Sequence, residues 1–448
     1  MGPEIAQPRL TSRTVWGAWA VLSAAAFFLV ASCARNVPYW DDWKLVPVLL
    51  RLQPASLAWL WDQCNEHRLP LSKALMLALA RLSGDDLRWA MFGSALLLSA
   101  LPALMLLTLR RLAGALAWTD LVLPVALLNW GHQFNLLFQM QLHFVLAVAL
   151  FVGVLMVLLQ LVEPERPDVV PADRRRTGAL FSMALPLPWV SGIGLCLAPV
   201  LVLWMVWAAE RAPRPSLRRA LRLCAALLTV CVTVLLYNLP GSPASGPGFA
   251  GAGATLVTAL RCLGTALGPV GRELWPWSGL LVVLFGLATM LLLVRTMLRE
   301  PERRLGASVL LAGLLGPAGL AMVIGASRAG LGWEAGFAPR YVTVMAPGLC
   351  CAHLAWRLYG RGLGRRGVPA VLCVALGLAL PFNTWLGLRD AQQHAAELGA
   401  FEEDVRAGLS DAELARIHWS RVCPSETVLG EDLQMLRQRG RWLFRPGG

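Results

Sequence analysis

Hydrophobic residues in this chain are grouped into long runs separated by short polar segments, which is the pattern of helices that cross a membrane. A membrane-spanning helix needs about 20 apolar residues with few charges. Eleven segments approach that length, so the pattern predicts an all-α, polytopic membrane protein with about eleven transmembrane helices. The predicted spans are 14–34, 88–109, 113–130, 136–162, 177–190, 192–209, 218–237, 275–298, 305–326, 341–358 and 368–386.

Three of these spans need a comment. The first follows Arg9 and Arg13 and has no small-residue cleavage site, so we expect a retained anchor and not a signal peptide that is removed. The segments 177–190 and 192–209 are short and are separated only at Ser191. They predict either a tight hairpin or one broken helix.

Arginine residues alternate along the loops between the spans. The turns at 131–135 and 190–192 contain no Lys or Arg, whereas every second loop is rich in Arg. Because cytoplasmic loops carry an excess of Lys and Arg, the alternation predicts a cytoplasmic N-terminus and an external C-terminus. The predicted inner loops contain Arg110 and Arg111; Arg166 and Arg174 to Arg176; Arg211, Arg214, Arg218 and Arg219; Arg295, Arg299, Arg303 and Arg304; and Arg357, Arg361, Arg365 and Arg366.

Three non-spanning segments, 35–87, 238–274 and 387–448, then fall on the outer side. Within the first, the apolar stretch 69–82 is too short to span. Its leucines share one helical face and its two basic residues lie off that face, which is typical of an interfacial amphipathic helix. The leucines are Leu71, Leu75, Leu79 and Leu82, and the basic residues are Lys73 and Arg81.

The end of the chain is polar and mixed in charge. Ser410 followed three residues later by Glu413 forms a capping box and predicts a short helix. A second helix is expected from about Ser425 to Gln438, with Gly440 as its stop. We therefore divide the chain into a transmembrane domain, 1–390, and an external helical tail, 391–448.

Composition supports a membrane protein: 57% of the residues are hydrophobic and only 15% are charged, against roughly 25% charged in soluble domains. The net charge of +13 comes from loop arginines that do not form one patch, so no nucleic-acid partner is expected. The ten cysteines show no CxxC or Cys/His metal spacing. Cys64 and Cys423 both fall on the predicted outer side, where a disulfide between them is one alternative and two free thiols the other.

Two adjacent acids lie between tryptophans directly after the first span, in Tyr39-Trp40-Asp41-Asp42-Trp43. In one interpretation, one Asp caps the helix that follows and the tryptophans are interfacial belt residues. In the other, Asp41 or Asp42 is a catalytic general base, because a carboxylate beside partly desolvated aromatic surface has a raised pKa. The two roles are compatible, since one Asp can cap while the other reacts.

Three further groups are candidate substrate-binding residues. Glu66, His67 and Arg68 precede the interfacial helix and either contact a phosphate or form a solvated loop. Asn135, Gln139 and His143 are spaced i, i+4, i+8, so they are expected on one helix face, lining an aqueous cavity or making interhelical hydrogen bonds. Arg340 and Tyr341 begin the tenth span, where the guanidinium either pairs bidentately with phosphate or snorkels.

These motifs resemble the GT-C class of membrane glycosyltransferases, and in particular a bacterial group within it, over most of residues 14–390. The residues that carry the resemblance are Tyr39-Trp40-Asp41-Asp42-Trp43, Asn65-Glu66-His67-Arg68, Asn135-Leu136-Leu137-Phe138-Gln139-Met140-Gln141 and Pro339-Arg340-Tyr341. In that class a first-loop acid serves as base, which corresponds to Asp41 or Asp42. Metal-using members carry further acids in a later outer loop. Here that loop holds only Glu273, so a divalent metal is not supported and no cofactor is predicted.

The resemblance implies transfer of a hexosyl or pentosyl group from a polyprenyl-phosphate donor at the outer face of a bacterial inner membrane. The acceptor would be a cell-envelope glycan, lipid or protein. A transporter or flippase for a lipid-linked saccharide is the alternative, but it requires charged residues at mid-membrane depth, and the apolar runs are nearly free of them. A non-catalytic membrane assembly factor is a third interpretation.

Overall fold

A computed structural model describes residues 7–64, 67–163, 173–237, 250–440 and 444. The predictions for Glu66, Arg166 and the first part of the outer segment 238–274 lie outside these residues, and the side chains of His67 and Arg174 are not described. Among the described residues, the β structure consists of one short antiparallel pair, β1 (Gln63–Cys64) and β2 (His67–Arg68), and most of the rest is helical. The predicted all-α class is confirmed.

The α-helices in chain order are α1 (Gln7–Cys33), α2 (Val46–Leu49), α3 (Leu57–Trp61), α4 (Pro70–Leu82), α5 (Arg88–Ala113), α6 (Val122–Leu128), α7 (Gln133–Leu137), α8 (Leu142–Val162), α9 (Asp173–Ala184), α10 (Leu187–Val190), α11 (Gly192–Ala209), α12 (Pro215–Tyr237), α13 (Ala252–Gly264), α14 (Val270–Glu273), α15 (Trp277–Arg299), α16 (Arg304–Arg328), α17 (Tyr341–Tyr359), α18 (Gly362–Arg406), α19 (Asp411–Val422) and α20 (Glu426–Gln438). The 3₁₀ turns are Trp40–Leu45, Trp118–Leu121, Trp130–His132, Gln139–Gln141, Thr265–Leu267, Pro301–Arg303, Ala329–Leu331 and Trp333–Phe337.

Within the described residues, eight helical segments are long and apolar enough to cross a membrane, and each coincides with a predicted span. They are Thr11–Cys33, Arg88–Ala113, Gln139–Val162, Gly192–Ala209, Pro215–Leu236, Trp277–Arg299, Pro301–Leu331 and Gly362–Arg406. The protein is therefore a polytopic helical membrane protein.

The other three predicted spans have a different form. Segment 341–358 is the 19-residue helix α17, most of which is buried in the bundle. Segment 113–130 contains a 3₁₀ turn and the seven-residue helix α6, which ends where the Asn129 side chain accepts a hydrogen bond from the backbone of Gly131. Segment 177–190 is divided into α9 and α10 at Pro186, which has no N–H to continue the helix.

Helix α10 folds back on α11, which answers the question left open by the sequence. The Ser191 side chain caps α11 by accepting from the Gly194 N–H at 3.1 Å. A Cβ atom at Gly194 would lie 1.9 Å from the Leu187 carbonyl oxygen, so only glycine permits this close approach. The chain therefore turns sharply between α10 and α11.

The arginine-rich loops come together at one end of the bundle. Arg357 donates to the buried Asp120 at 2.7 Å, and Arg361 pairs with Glu300 at 2.6 Å. Arg214 donates to the Leu161 carbonyl oxygen at 2.7 Å. These contacts join loops that are far apart in sequence and that the charge pattern assigned to one side.

The first loop and the chain's last helices pack together at the other end. Trp43, which is 2% exposed, donates from Nε1 to the Val422 carbonyl oxygen at 2.9 Å, and its ring lies 6.5 Å from that of Phe401. A hydrophobic cluster continues from there through α4 to α20. Segments 35–87 and 387–440 therefore lie on the same side of the bundle.

The predicted interfacial helix is α4, and both of its faces are used. Ser72, Lys73, Met76, Leu77 and Ala80 are buried against the protein. On the predicted leucine face, Leu71 and Leu82 are 39% and 87% exposed, whereas Leu75 and Leu79 are partly buried. On the inner face, the Lys73 ammonium group donates to the carbonyl oxygens of Trp59 and Asp62 at 3.1 and 2.8 Å.

The last span continues far beyond the membrane. Helix α18 has 45 residues, so it is about 67 Å long at 1.5 Å per residue, more than twice the roughly 30 Å of hydrocarbon in a bilayer. The domain boundary proposed at residue 390 falls inside this helix. The capping box at Ser410 and Glu413 is present, and α20 ends where expected, before Gly440. Cys64 and Cys423 are both free thiols.

We expect a reporter that works only in the cytoplasm to be silent when fused after residue 86 or after residue 388, because both segments lie at the end opposite the arginine-rich loops. A matched fusion after Arg211 should be active. Activity measured in whole cells checks the assignment. Active fusions at 86 and 388 together with a silent fusion at 211 would invert the orientation.

Candidate active-site cleft

A polar cavity lies between the first loop, the α6–α8 segment and α18, at the end of the bundle that holds the first loop. Its volume is about 220 Å³. Four of its lining residues, Asp390, Gln393, His394 and Glu397, are spaced i, i+3, i+4, i+7 along α18 and so share one face of that helix. The other lining residues are Tyr39, Gln133, Phe134, Leu137, Phe138 and Pro339.

A second, smaller cavity of about 60 Å³ adjoins the first and shares Gln133, Pro339 and Asp390 with it. We call the two together the cleft, the first its acidic lobe and the second its basic lobe. The basic lobe adds the guanidinium groups of Arg272 and Arg389 to the lining, together with the carboxyl group of Glu273. Acidic and basic residues therefore line two adjoining cavities.

The arginines of the basic lobe are exposed but paired. Arg272 donates to Glu334 at 2.8 Å, and Arg389 pairs with Asp390 at 2.9 Å. Such exposed ion pairs contribute only about 0–1 kcal/mol each. An anion of higher charge can therefore displace the carboxylates without a large energetic cost.

The wall of the cleft formed by residues 129–143 is a broken helix. Gly131 packs against Pro269 so closely that a Cβ atom would lie 2.3 Å from the Pro269 ring. Helix α7 then ends at Phe138, which is extended, with φ −126° and ψ 115°. The expectation that Asn135, Gln139 and His143 share one helix face is therefore wrong, because the helix does not continue through Phe138.

A buried hydrogen-bond network holds this wall in place. His132 donates from Nε2 to the Ala126 carbonyl oxygen at 2.9 Å, which leaves Nδ1 to accept from the Thr343 hydroxyl at 2.7 Å. Asn135 donates to the same hydroxyl oxygen at 2.7 Å and to the Arg340 carbonyl oxygen at 3.0 Å. Asn135 thus links α7 to α17, as expected if this residue makes interhelical hydrogen bonds.

Gln139 and His143 are also enclosed. They are 1% and 5% exposed, and neither lines the cavities described here. The Nδ1 atom of His143 lies 2.5 Å from the Met140 carbonyl oxygen. In this structure these two side chains are not reached from the cleft.

The two acids of the first loop have different environments. Asp42 is 1% exposed and accepts from the Tyr39 backbone N–H at 3.2 Å, which closes a capping box. Burial raises the pKa of Asp42 well above its usual value. Asp41 has a quarter of its side chain exposed and pairs with Lys44 at 3.2 Å. Asp42 is therefore the cap, and Asp41 is the accessible acid of the pair.

Tyr39 brings the first loop into the cleft. Its ring packs edge-on against His394 at 4.5 Å and against Phe138 at 5.0 Å. Burial, reinforced by the nearby Glu397 carboxylate, raises the pKa of Tyr39 to about 12, so its hydroxyl group keeps its proton at pH 7. Residue 394 lies beyond the apolar part of α18, and burial lowers the pKa of His394 although Glu397 opposes this. His394 is thus neutral at pH 7.

Arg68 lies away from the cleft. Its guanidinium group is over the Trp61 ring at 5.3 Å and donates to the Trp61 carbonyl oxygen. It lines the mouth of a separate, largely apolar cavity of about 450 Å³ formed by α10, α11, α12 and α16. Arg68 is therefore next to an apolar cavity, whereas the acidic residues of α18 line the cleft.

Arg340 is close to the cleft without lining it. Its guanidinium group lies 5.3 Å from the centre of the Tyr341 ring, and Tyr341 is 3% exposed. The preceding residue, Pro339, lines both lobes. Arg340 is thus near the cleft, with its guanidinium group over the Tyr341 ring.

The acidic face of α18 was not predicted from the sequence. The pattern was visible, because Asp390, Gln393, His394 and Glu397 follow the last span at helical spacing. Glu273 was noticed only as a lone acid, and it lines the basic lobe. Among the described residues, no group of three or more His, Cys, Asp or Glu side chains is arranged to hold a metal ion.

Comparison with known proteins gives little. No family model matches the chain, and no curated protein matches it. Among solved structures, the crystal structure of ArnT from Cupriavidus metallidurans bound to undecaprenyl phosphate aligns with 95% of this chain and 76% of ArnT. The sequence identity is 17% and the TM-score is 0.47. At these values the similarity carries no functional conclusion.

Proposed function

We propose that the protein is a membrane glycosyltransferase that moves a sugar from a polyprenyl-phosphate donor to an acceptor hydroxyl group at the outer face of the inner membrane. The observation that carries the proposal is the cleft, in which acidic and basic residues line two adjoining cavities beside the membrane. Glycosyl transfer from a phosphate donor needs both a base for the acceptor and cations for the leaving phosphate.

Glu397 is the base in this proposal. It lines the acidic lobe next to His394 and the Tyr39 ring, where an acceptor sugar or lipid hydroxyl group can approach. Glu397 takes the proton of the acceptor hydroxyl group as that oxygen attacks the anomeric carbon. The bond between the anomeric carbon and the phosphate oxygen breaks, and the polyprenyl phosphate leaves with the bonding electrons.

Asp41 is the alternative base, since the resemblance to GT-C enzymes places that role in the first loop. Asp41 is accessible, whereas Asp42 is enclosed as a cap. Asp41 does not line either lobe, and its carboxylate is paired with Lys44. The geometry of the described residues therefore favours Glu397, and substitution of each acid separates the two assignments.

Arg272 and Arg389 hold the leaving phosphate in this proposal. A guanidinium group pairs with two phosphate oxygens at once and cannot lose its proton at pH 7. The charge that develops on the leaving oxygen is then neutralised where it forms. Arg340 follows Pro339, which lines both lobes, and so lies nearer to the cleft than Arg68 does.

The proposal is tested with the purified protein in proteoliposomes, supplied with a panel of polyprenyl-phosphate-linked hexoses and pentoses and with envelope lipids and glycans as acceptors. We expect one donor to yield free polyprenyl phosphate together with labelled acceptor. Movement of intact donor across the bilayer without cleavage would support the flippase interpretation instead. Neither cleavage nor movement with the whole panel would contradict both.

We expect Arg272→Lys to weaken donor use at least about ten-fold, since it keeps the charge but loses the bidentate geometry. In the same assay, the effect is measured as a rise in the KM for the donor. Arg340→Lys should have a smaller effect, because that side chain does not line the cleft. If Arg340→Lys or Arg68→Lys impairs donor use and Arg272→Lys does not, the phosphate binds where the sequence motifs placed it.

A further inference from the structure

A second groove lies on the opposite side of α18 from the acidic lobe, between that helix and α1. Its volume is about 560 Å³, within the roughly 300–1,000 Å³ of small-molecule sites. Phe28 and Leu388 form its deep part, Ala395 and Ala396 its shallow part, and Arg35 its rim. Residues 390, 393, 394 and 397 of α18 face the cleft, so this α1/α18 groove is a separate site.

The groove changes from apolar to cationic along the membrane normal. Helices α1 and α18 both run outward as their numbering increases, so Phe28 and Leu388 lie deeper than Arg35 and Ala396. Phe28 is 64% exposed, which opens the deep part towards the lipid. Arg35 lies two residues beyond the end of α1, at the depth of the headgroups. An apolar deep part followed by a cationic rim matches a phospholipid, in which an acyl chain is followed by an anionic headgroup.

The rim carries more positive than negative groups. Arg35 has 43% of its side chain exposed, and its nearest carboxylate oxygen, on Glu402, is 3.9 Å away. Glu402 is shared with Arg406 at 3.7 Å and is within electrostatic reach of Arg88. One carboxylate thus faces three guanidinium groups, of which Arg88 also pairs with Asp86 at 2.7 Å. An added anion would complement the remaining charge.

We propose that the α1/α18 groove binds one anionic phospholipid, with an acyl chain between Phe28 and Ala396 and the phosphate at Arg35. A phosphate accepts hydrogen bonds from both arms of the Arg35 guanidinium group. These arms are available because the contact between Arg35 and Glu402 is loose. The lipid fills the gap between the first and last spans and so supports α18, whose other face forms the acidic lobe. The site does not depend on the glycosyltransferase proposal.

The site is tested on the full-length protein by native mass spectrometry after delipidation, with phosphatidylglycerol and phosphatidylcholine that carry the same acyl chains. We expect one tightly held phosphatidylglycerol and weaker binding of phosphatidylcholine. Arg35→Gln should weaken phosphatidylglycerol binding about ten-fold. Ala396→Trp, which fills the groove, should abolish the tight site.

Two controls separate a built site from the general lipid shell. Arg110→Gln removes an exposed arginine at the other end of a span, and Ala400→Trp adds the same ring on α18 one turn beyond the groove. Both variants should bind phosphatidylglycerol as the unmodified protein does. Equal binding of the two lipids, or equal losses with Arg35→Gln and Arg110→Gln, would overturn the proposal. Helical content by circular dichroism identifies any variant that fails to fold.

Discussion

Glu397→Gln is expected to lower the rate of sugar transfer by about 10²–10⁴-fold, the usual contribution of a general base. The substitution keeps the size of the side chain and removes its ability to take a proton from the acceptor. Donor binding should be nearly unchanged, because the arginines of the basic lobe remain. The measurement is release of polyprenyl phosphate in the proteoliposome assay at saturating donor.

Two further variants make this result specific. Glu403→Gln changes an exposed glutamate of the same helix that lies outside the cleft and should retain full activity. Asp41→Asn should cost less than about ten-fold, because Asp41 does not line the cleft. If Asp41→Asn loses transfer activity and Glu397→Gln retains it, the general base is Asp41 in the first loop.

Trp43→Ala is expected to destabilise the packing of the first loop against the chain's last helices by about 3–5 kcal/mol, the usual cost of removing a buried Trp or Phe ring. Trp43 is almost fully enclosed and donates to the Val422 carbonyl oxygen. Its loss frees α19 and α20 from the loop. Limited trypsin digestion should then cut the segment after Arg406 much faster, since such cleavage follows the population of the opened form.

The size of this effect is checked against two substitutions. Trp43→Phe keeps an aromatic ring and loses the hydrogen bond, so it should cost only about 1–3 kcal/mol. Trp118→Ala removes an indole that is 50% exposed and should have little effect on stability. If Trp43→Ala leaves the digestion rate unchanged, the loop and the last helices do not depend on this contact.

The hydropathy and the arginine pattern of the sequence were sufficient to predict much of the fold. Each of the eight long apolar helices corresponds to a predicted span, because burial in lipid demands an uninterrupted apolar run whatever its neighbours are. The helices after residue 410 were also predictable, because capping residues act locally. Segment 113–130 was mistaken for one helix, since its first part holds the Gly114 cap of α5 and a 3₁₀ turn, in which the Asp120 carboxylate accepts from the Ala117 N–H.

The candidate site was harder to predict. The burial of Asp42 depends on the first loop meeting Met140 in three dimensions, which no local pattern reveals. The spacing of Asn135, Gln139 and His143 was misleading, because the helix ends at Phe138. The acidic face of α18 is visible in the sequence as helical spacing, but only the continuation of the last span past residue 387 joins it to the bundle.

The most direct test of the account is a cryo-electron microscopy structure of the protein with added polyprenyl phosphate. We predict that the phosphate lies in the basic lobe, within hydrogen-bonding distance of Arg272 and Arg389, with the acidic lobe and Glu397 open beside it for the acceptor. A phosphate bound at Arg68 beside the apolar cavity, or at the arginine-rich end of the bundle, would contradict this assignment of the active site.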